Sequence, residues 1–182
     1  MSITFQDLYT AEKITEWMSK PFGGLSLDSR KVEAGQIFIA LNSFSQPEKT
    51  LQFAASALAN GALAVVSEVD LGLDHSVVVP NVRHLMGQWK KQYLQATAPV
   101  QAARILAVTG TNGKTTISRL VAELLMLQGR KCAVMGTTGN GILPNLEASS
   151  HTTLDALNLQ SALHEYAQQG AEFAAIEASS HG

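Results

Sequence analysis

Short apolar runs alternate along the chain with longer segments of helical spacing, and this pattern predicts an α/β fold. The apolar runs have the length and β-branched content of buried strands. They lie at 36–41, 62–69, 77–79, 105–108, 131–135 and 173–177. Between several of them, apolar residues recur at three- and four-residue steps, as in amphipathic helices. Strands and helices that alternate at this rhythm form mostly parallel sheets with right-handed crossovers.

The order of these elements predicts two consecutive units, at residues 1–82 and 83–182. A small α/β unit is complete once the strand at 77–79 closes. The apolar stripe from Val82 to Tyr93 predicts a helix that could belong to either unit. We place it in the second unit, because it leads directly into the strand at 105–108. A short amphipathic helical start is expected around Leu8 to Met18, with further helices at 51–60 and 153–169.

Composition indicates a globular chain without a general surface for nucleic acid. The 182 residues are 46% hydrophobic and 15% charged, with a net charge of −2 and no run of basic residues. A single cysteine, Cys132, excludes an internal disulfide framework and is typical of a reducing compartment. The N-terminus has no signal-peptide core, and no apolar stretch is long enough to span a bilayer. We expect a cytoplasmic protein that binds neither nucleic acid nor membrane.

The clearest chemical signal is a glycine-containing turn between a predicted strand and a predicted helix. Its residues are Gly110, Thr111, Asn112, Gly113, Lys114, Thr115 and Thr116. The backbone N–H groups of such a turn and the positive end of the next helix bind phosphate. Lys114 would reach the terminal phosphates, and the Thr115 hydroxyl would bind Mg²⁺. The strict phosphate-loop pattern would need glycine at Val108, so a Gly/Asn-rich turn with a merely solvated lysine is the alternative.

A carboxylate, Glu177, ends the last predicted strand. Polar residues at the carboxyl ends of parallel strands line the ligand crevice, so Glu177 is placed to hold Mg²⁺ directly or through water. The alternative is an exposed strand-end acid. The chain stops at Gly182, just where such crevice residues appear, and we expect it to hold only about half of a nucleotide-binding domain.

Two further polar clusters allow a structural and a functional interpretation. Residues 27–30 (Leu-Asp-Ser-Arg) suit a turn with a local Asp–Arg pair. Residues 150–153 (Ser-His-Thr-Thr) precede a predicted helix, so Thr152 or Thr153 could be its N-cap. Either cluster could instead face a polar ligand. Asp155 and Glu123 are expected to face solvent on helices.

Four motifs, taken in order, resemble the Mur ligase family of peptidoglycan synthesis. They are residues 27–30, 108–116, 136–141 and 176–182. The family's loop, Thr-Gly-Thr-Asn-Gly-Lys-Thr, accounts for the valine at position 108. The resemblance implies three domains: one for the UDP-sugar, a central ATPase and a C-terminal domain. This chain would hold the first domain and roughly the first half of the second.

The resemblance further implies an ATP-dependent amide ligase that uses ATP and Mg²⁺. Such an enzyme would add a diamino acid, expected to be meso-diaminopimelate, to UDP-MurNAc-L-Ala-D-Glu through an acyl phosphate. We expect a monomer, and expect these residues to be inactive on their own. A non-catalytic nucleotide-binding module, or a related ligase of the Mur or folylpolyglutamate type, remains the alternative.

The resemblance also implies the residue roles. Lys114 would act in catalysis, the whole loop 110–116 would bind ATP, and Thr115 and Glu177 would be Mg²⁺ ligands. The implied substrate-binding residues are Leu27, Ser29, Phe44, Ser45, Gln46, His151, Thr152, Thr153 and Ser179. The chain departs from the family at 43–48, where the usual glycine- and aspartate-containing loop is replaced, and at His151, where the family commonly has asparagine.

Overall fold

The computed structural model describes residues 2–11, 15–43, 45–148 and 154–178. The chain divides into two compact units, Met1–Pro99 and Val100–Gly182. Each unit contains one sheet, and helices alternate with its strands along the sequence. Most of the strand pairs are parallel. The predicted α/β class with mostly parallel sheets is therefore confirmed.

The first unit is built on a parallel four-stranded sheet. Its strands, in spatial order, are β1 (Leu25–Ser26), β2 (Ile37–Ala40), β3 (Ala64–Ser67) and β4 (Ser76–Val78). Its helices are α1 (Phe5–Leu8), a 3-10 helix (Glu16–Ser19), α2 (Pro47–Ala59) and α3 (Val82–Thr97). The predicted amphipathic start is thus two short helical turns rather than one helix.

Strands β2 and β3 are buried along their whole length, as their continuous apolar sequences predict. Helix α2 begins with Pro47 in its first turn, a position that needs no backbone N–H. Its buried alanines, Ala54 and Ala57, pack with Phe38 and Val65 in one core cluster. Small side chains on the inner face of α2 let the helix lie close to the sheet.

Helix α3 packs with the first unit, in contrast to the predicted boundary between residues 82 and 83. The Trp89 side chain is buried, and its ring lies 5.2 Å from that of Phe5 and 5.6 Å from that of Tyr9. Tyr93, one turn later, lies 5.1 Å from Phe22. These aromatic contacts come from residues far apart in sequence, so local periodicity did not reveal them.

The second unit holds a five-stranded mixed sheet in the order β5-β9-β6-β7-β8. The strands are β5 (Arg104–Val108), β6 (Cys132–Gly136), β7 (Gly139–Ile142), β8 (Asn145–Glu147) and β9 (Phe173–Glu177), and the helices are α4 (Lys114–Leu127) and α5 (Ala156–Gln168). Strands β5, β9 and β6 are parallel, whereas β6-β7-β8 form antiparallel hairpins.

The sequence did not predict the hairpin strands β7 and β8. Gly139 and Gly141 look like loop residues, but both lie in the β7 pairing. A Cβ at Gly141 would overlap the carbonyl oxygen of Asn145, and one at Gly139 would come 2.5 Å from that of Glu147. The glycines therefore permit a close approach of two strands rather than a flexible turn.

Helix α5 begins later than predicted. Asp155, which we expected to lie on the helix and face solvent, instead precedes it as the cap. Asp155 is the N-cap, with Oδ1 accepting from the N–H groups of Leu157 at 3.0 Å and Asn158 at 2.9 Å. Thr152 and Thr153, the predicted caps, lie outside the described residues. In the part of the chain that the structure describes, no helix has the length and apolar character needed to cross a membrane.

Candidate functional site

The predicted phosphate loop connects β5 to α4 at the edge of the second sheet. Gly113 is the N-cap of α4 and has a φ of 81°, in the left-handed region that favours glycine. The helix proper begins with the N–H of Ile117 donating to Gly113 O at 2.9 Å. N–H groups in the first turn of a helix have no helical acceptor, so this turn presents donors to an anion.

Lys114 lies against this loop. Its Nζ donates to Gly110 O at 2.7 Å, which closes the side chain over the turn it belongs to. The alternative interpretation, in which the lysine is only solvated, does not account for this hydrogen bond. The ammonium and the helix N-terminus therefore place positive charge at one end of α4.

Thr115 contacts the carboxylate of Glu177 on the neighbouring strand. Strands β5 and β9 are paired so that Val108 lies opposite Glu177, and the N–H of Ala178 donates to Val108 O at 2.9 Å. Thr115 lies just after the loop that follows β5, in the first turn of α4, and its Oγ1 donates to Glu177 Oε2 at 3.0 Å. The two residues predicted to hold Mg²⁺ are thus in direct contact.

Glu177 is buried, with 1% of its surface exposed, which excludes the exposed strand-end acid. Its carboxylate also accepts two hydrogen bonds from Thr137, from the backbone N–H to Oε1 at 3.0 Å and from Oγ1 to Oε2 at 2.9 Å. Hydrogen bonds of this kind stabilise a buried carboxylate. Thr137 belongs to the motif at 136–141, but the sequence alone indicates no role for it in the site.

Gly136 makes room for this carboxylate. A Cβ at position 136 would overlap the Glu177 carboxylate oxygen and lie 2.6 Å from its Cγ. Gly136 does not have a left-handed φ, so space alone requires glycine here. The signal available in the sequence was the glycine at the end of the strand that follows the phosphate-loop helix.

The donor set around Glu177 fits Mg²⁺. Among the described residues, Glu177 forms no ion pair with a lysine, arginine or histidine, and no group of three or more His, Cys, Asp or Glu side chains lies together as a metal site. Mg²⁺ is typically held by one or two protein oxygens together with phosphate oxygens and water. One buried carboxylate beside the Thr115 and Thr137 hydroxyls, next to a phosphate loop, supplies oxygen ligands of this kind.

A second candidate site lies in the first unit, at the carboxyl ends of β1, β2 and β3. The register pairs Ser26 with Phe38 and Ala40 with Ser67, so the loops that follow these strands leave the sheet at one edge. A cleft of about 160 Å³ opens here, lined by Leu27, Leu41 and the half-exposed ring of Phe53 among others. Ligands of parallel α/β sheets bind at this edge.

The Asp-Ser-Arg turn is fixed by its own side chains. The Arg30 guanidinium forks onto Asp28, with Nε at 2.9 Å from Oδ1 and Nη2 at 2.8 Å from Oδ2, and the Arg30 N–H donates to Oδ1 at 3.0 Å. These bonds, chiefly the side-chain pair, lower the pKa of Asp28 to about 2. Ser29 is buried, and its carbonyl accepts from Asn60 Nδ2 at 2.9 Å.

The predicted site residues that the structure describes divide between the two units. Leu27, Ser29, Ser45 and Gln46 lie in the first unit, whereas Glu177 and the whole of 110–116 lie in the second. Gln46 is the N-cap residue of α2, and the Ser45 hydroxyl lies 3.4 Å from that of Ser43. The remaining predicted residues lie outside the described part of the chain: Phe44, His151, Thr152, Thr153 and Ser179.

Comparison with known proteins agrees with this geometry. Residues 108–182 match the Mur ligase middle domain. A solved structure of UDP-N-acetylmuramoyl-L-alanyl-D-glutamate--2,6-diaminopimelate ligase is 64% identical, with a TM-score of 0.95 over 100% of this chain and 37% of that one. The chain belongs to the Mur ligase family. The resemblance seen in the sequence motifs is confirmed.

Curated relatives of this Mur ligase chain carry the same name. The ligase of Haemophilus influenzae (strain 86-028NP) is 42% identical over 164 residues, which is 86% of this chain and 33% of the relative. The Vibrio cholerae ligase is 39% identical over 87% of this chain and 33% of the relative. The chain therefore spans about a third of the length of the curated relatives it matches.

A more distant structure shares the fold of this Mur ligase chain. The MurF ligase from Thermotoga maritima, solved in complex with ADP, is 21% identical, with a TM-score of 0.56 over 85% of this chain and 31% of that one. At this identity the likeness concerns the fold alone.

Proposed function

We propose that this chain provides the UDP-substrate unit and part of the ATP site of a ligase that joins meso-diaminopimelate to UDP-MurNAc-L-Ala-D-Glu. The observation that carries the proposal is the contact between Thr115 and Glu177 beside the phosphate loop. A hydroxyl and a buried carboxylate beside a phosphate loop are the kind of oxygen ligands that an ATP-bound cation takes, and this supports the proposal. The ligase named for the 64% identical structure supplies the substrate class.

The proposed reaction proceeds in two steps. A γ-carboxylate oxygen of the D-glutamyl residue attacks the γ-phosphorus of ATP, the bond from that phosphorus to the β–γ bridging oxygen breaks, and ADP leaves. The amine of diaminopimelate then attacks the acyl-phosphate carbon and loses a proton, while phosphate departs with the former carboxylate oxygen. The products are an amide, ADP and phosphate.

The first step brings an anionic oxygen towards an anionic phosphate, and the loop residues reduce that repulsion. Lys114 and the N–H groups of the first turn of α4 supply fixed positive charge and hydrogen bonds to the phosphate oxygens. Thr115 and Glu177 would hold Mg²⁺, which would supply further neutralisation of phosphate charge. The protein acts by positioning and electrostatics rather than by forming a covalent bond.

The first unit is proposed to hold the UDP end of the substrate. The apolar cleft beside Leu27 suits a planar base, and Ser29, Ser45 and Gln46 bring polar groups to the same unit. Phe44, His151, Thr152, Thr153 and Ser179 complete the proposed substrate-binding set. In this proposal Met1–Pro99 binds the UDP-sugar and Val100–Gly182 binds ATP. We further propose a cytoplasmic monomer.

Coupled phosphate release by the full-length protein tests this function. Release should require ATP, Mg²⁺, UDP-MurNAc-L-Ala-D-Glu and diaminopimelate together, and the 182-residue chain alone should release none. A non-catalytic nucleotide-binding module would bind ATP and show no affinity for the UDP-substrate. Calorimetric titration with each ligand separates these outcomes, and a protein that binds ATP only would refute the proposal.

A further inference from the structure

An ion pair from two other segments holds the start of the loop that follows β2. Glu68, directly after β3, accepts from the N–H of Asn42 through Oε2 at 2.7 Å. Arg83, in the first turn of α3, donates from Nε to Glu68 Oε1 at 2.8 Å. Glu68 therefore joins the loop to the sheet and to the helix at once.

Arg83 also contacts the loop itself. Its Nη2 donates to Asn42 O at 2.9 Å and to Glu68 Oε2 at 3.2 Å. The N–H and the C=O of Asn42 are thus both bound, one by the carboxylate and the other by the guanidinium. A planar guanidinium can serve two acceptors in fixed directions, which the ammonium of a lysine cannot reproduce.

The pair is partly shielded from solvent. The Glu68 side chain is 12% exposed and that of Arg83 is 44% exposed. Charge-assisted hydrogen bonds at a shielded carboxylate hold their geometry better than those of a freely solvated pair. Further along the loop, the Ser43 N–H donates to Oγ1 of the buried Thr50 at 3.2 Å. The loop is therefore tied at Asn42 and Ser43, before its residues 45 and 46.

This loop leaves the sheet at the same edge as the Asp-Ser-Arg turn. Strand β2 lies between β1 and β3, so the residues after Ala40 leave the sheet between those after Ser26 and those after Ser67. Leu41, the residue before Asn42, lines the cleft that Leu27 also lines. A shift of Asn42 would therefore move the wall of this cleft and the loop residues beyond it.

We infer that Glu68 and Arg83 are positioning residues for the UDP-substrate, because they fix Asn42 and with it the start of the loop that leads to Ser45 and Gln46. This inference rests on the proposed function of the first unit. The two side chains act through the loop and are not assigned a contact with the substrate. Their loss should weaken binding of the UDP-substrate and leave the ATP chemistry intact.

Steady-state kinetics of full-length Glu68→Ala and Arg83→Ala variants test the inference. We expect the KM for UDP-MurNAc-L-Ala-D-Glu to rise about tenfold, with kcat and the KM for ATP unchanged. Arg83→Lys keeps the charge but not the fork, so its KM should lie between those of the wild type and Arg83→Ala. Amide hydrogen exchange at Asn42 should accelerate in Glu68→Ala, because that N–H loses its acceptor.

Arg130→Ala is the matched control. Arg130 forks onto Glu172 at 2.9 and 2.7 Å, with 46% of its side chain exposed, and both residues belong to the second unit. Its KM for the UDP-substrate should equal that of the wild type. This control shows whether the loss of any partly exposed arginine–glutamate ion pair is enough to change the KM for the UDP-substrate.

The outcomes separate the inference from the function on which it rests. A wild-type protein with no saturable dependence on UDP-substrate would refute the proposed function, and the inference with it. A wild type that saturates, with both alanine variants keeping its KM, would overturn the inference alone. A fall in kcat together with a lower melting temperature, at unchanged KM, would show a general stabilising role and would also overturn it.

Discussion

Thr115 Oγ1 donates to Glu177 Oε2 at 3.0 Å, although 62 residues separate them in sequence. The contact exists because the phosphate loop follows β5, and Glu177 is the last residue of the adjacent parallel strand β9, in register with Val108. Thr137, after the strand on the other side of β9, adds two more hydrogen bonds to the same carboxylate. Three strand ends therefore converge on Glu177, and this convergence organises the proposed ATP site.

Lys114→Ala should abolish ATP turnover without unfolding the protein. The ammonium is proposed to offset phosphate charge in the transition state, and loss of such a group lowers kcat by about 100- to 1,000-fold. Folding stability should change by less than about 0.5 kcal/mol, because Nζ makes one contact, with the nearby Gly110 O. Phosphate release and thermal unfolding measure the two effects.

Lys131→Ala provides the control for this variant. Lys131 Nζ likewise donates to a backbone carbonyl, Gln169 O, at 2.9 Å, but it lies outside the phosphate loop. Turnover should stay at the wild-type value in Lys131→Ala. Comparable turnover in Lys114→Ala and Lys131→Ala would argue against the assigned role of Lys114.

Gly136→Ala should destabilise the second unit and impair its chemistry. The added methyl group would overlap the Glu177 carboxylate, and overpacking of this kind lowers the free energy of unfolding by about 1–3 kcal/mol. Displacement of the carboxylate should also raise the Mg²⁺ concentration needed for half-maximal turnover. Gly23→Ala is the control, since a Cβ there meets nothing closer than 3.6 Å. Equal unfolding free energies for the two variants would show that the site tolerates the methyl group.

Ser29→Ala should weaken UDP-substrate binding by about three- to tenfold, the effect of one hydrogen bond. ATP binding should be unaffected, because Ser29 lies in the first unit. Ser56→Ala, which removes an exposed hydroxyl from α2, is the comparison. Calorimetric titration with both ligands measures the change, and wild-type affinity of Ser29→Ala for UDP-substrate would remove Ser29 from the proposed site.

Asp28 should titrate well below the ordinary range of aspartate. Its pKa is lowered to about 2 from 3.8 in the folded state, first by the Arg30 side chain and then by the Arg30 N–H. A carboxyl group whose pKa is lower in the folded state than in the unfolded state stabilises the fold at pH values above its unfolded pKa. This stabilisation is lost as the pH falls from about 4 towards 2. In Arg30→Ala the pKa should rise only part of the way, because the backbone N–H remains. NMR titration of the Asp28 carboxyl group decides this, and an unchanged pKa in the variant would show that Arg30 is not the cause.

The parallel strands were predictable because their signals are local. The run at β2 is continuously buried and apolar, and β9 is apolar up to Glu177 and coincides with the predicted strand 173–177. The phosphate loop was equally clear, since its glycines and lysine adjoin one strand and one helix. These features depend on neighbouring residues in the chain, and sequence patterns report them directly.

The remaining features depend on contacts between distant segments. The Trp89 ring packs against that of Phe5, although most of the first unit's sequence lies between the two residues. The predicted boundary between residues 82 and 83 therefore differs from the one in the structure. Gly141 looked like a loop residue because the strand that approaches it is specified elsewhere. The role of Thr137 likewise emerges only when β6 and β9 are adjacent. Spacing in the sequence carries no signal for such pairings.

Oxygen transfer in a single turnover tests the central claim, that ATP activates a UDP-linked carboxylate. UDP-MurNAc-L-Ala-D-Glu labelled with ¹⁸O in the γ-carboxylate is incubated with the full-length protein, ATP, Mg²⁺ and diaminopimelate, and the released phosphate is analysed by mass spectrometry. The acyl-phosphate route predicts one ¹⁸O atom in each phosphate, since the phosphate departs with the carboxylate oxygen. Phosphate free of ¹⁸O, formed at the same rate as the amide product, would contradict the account.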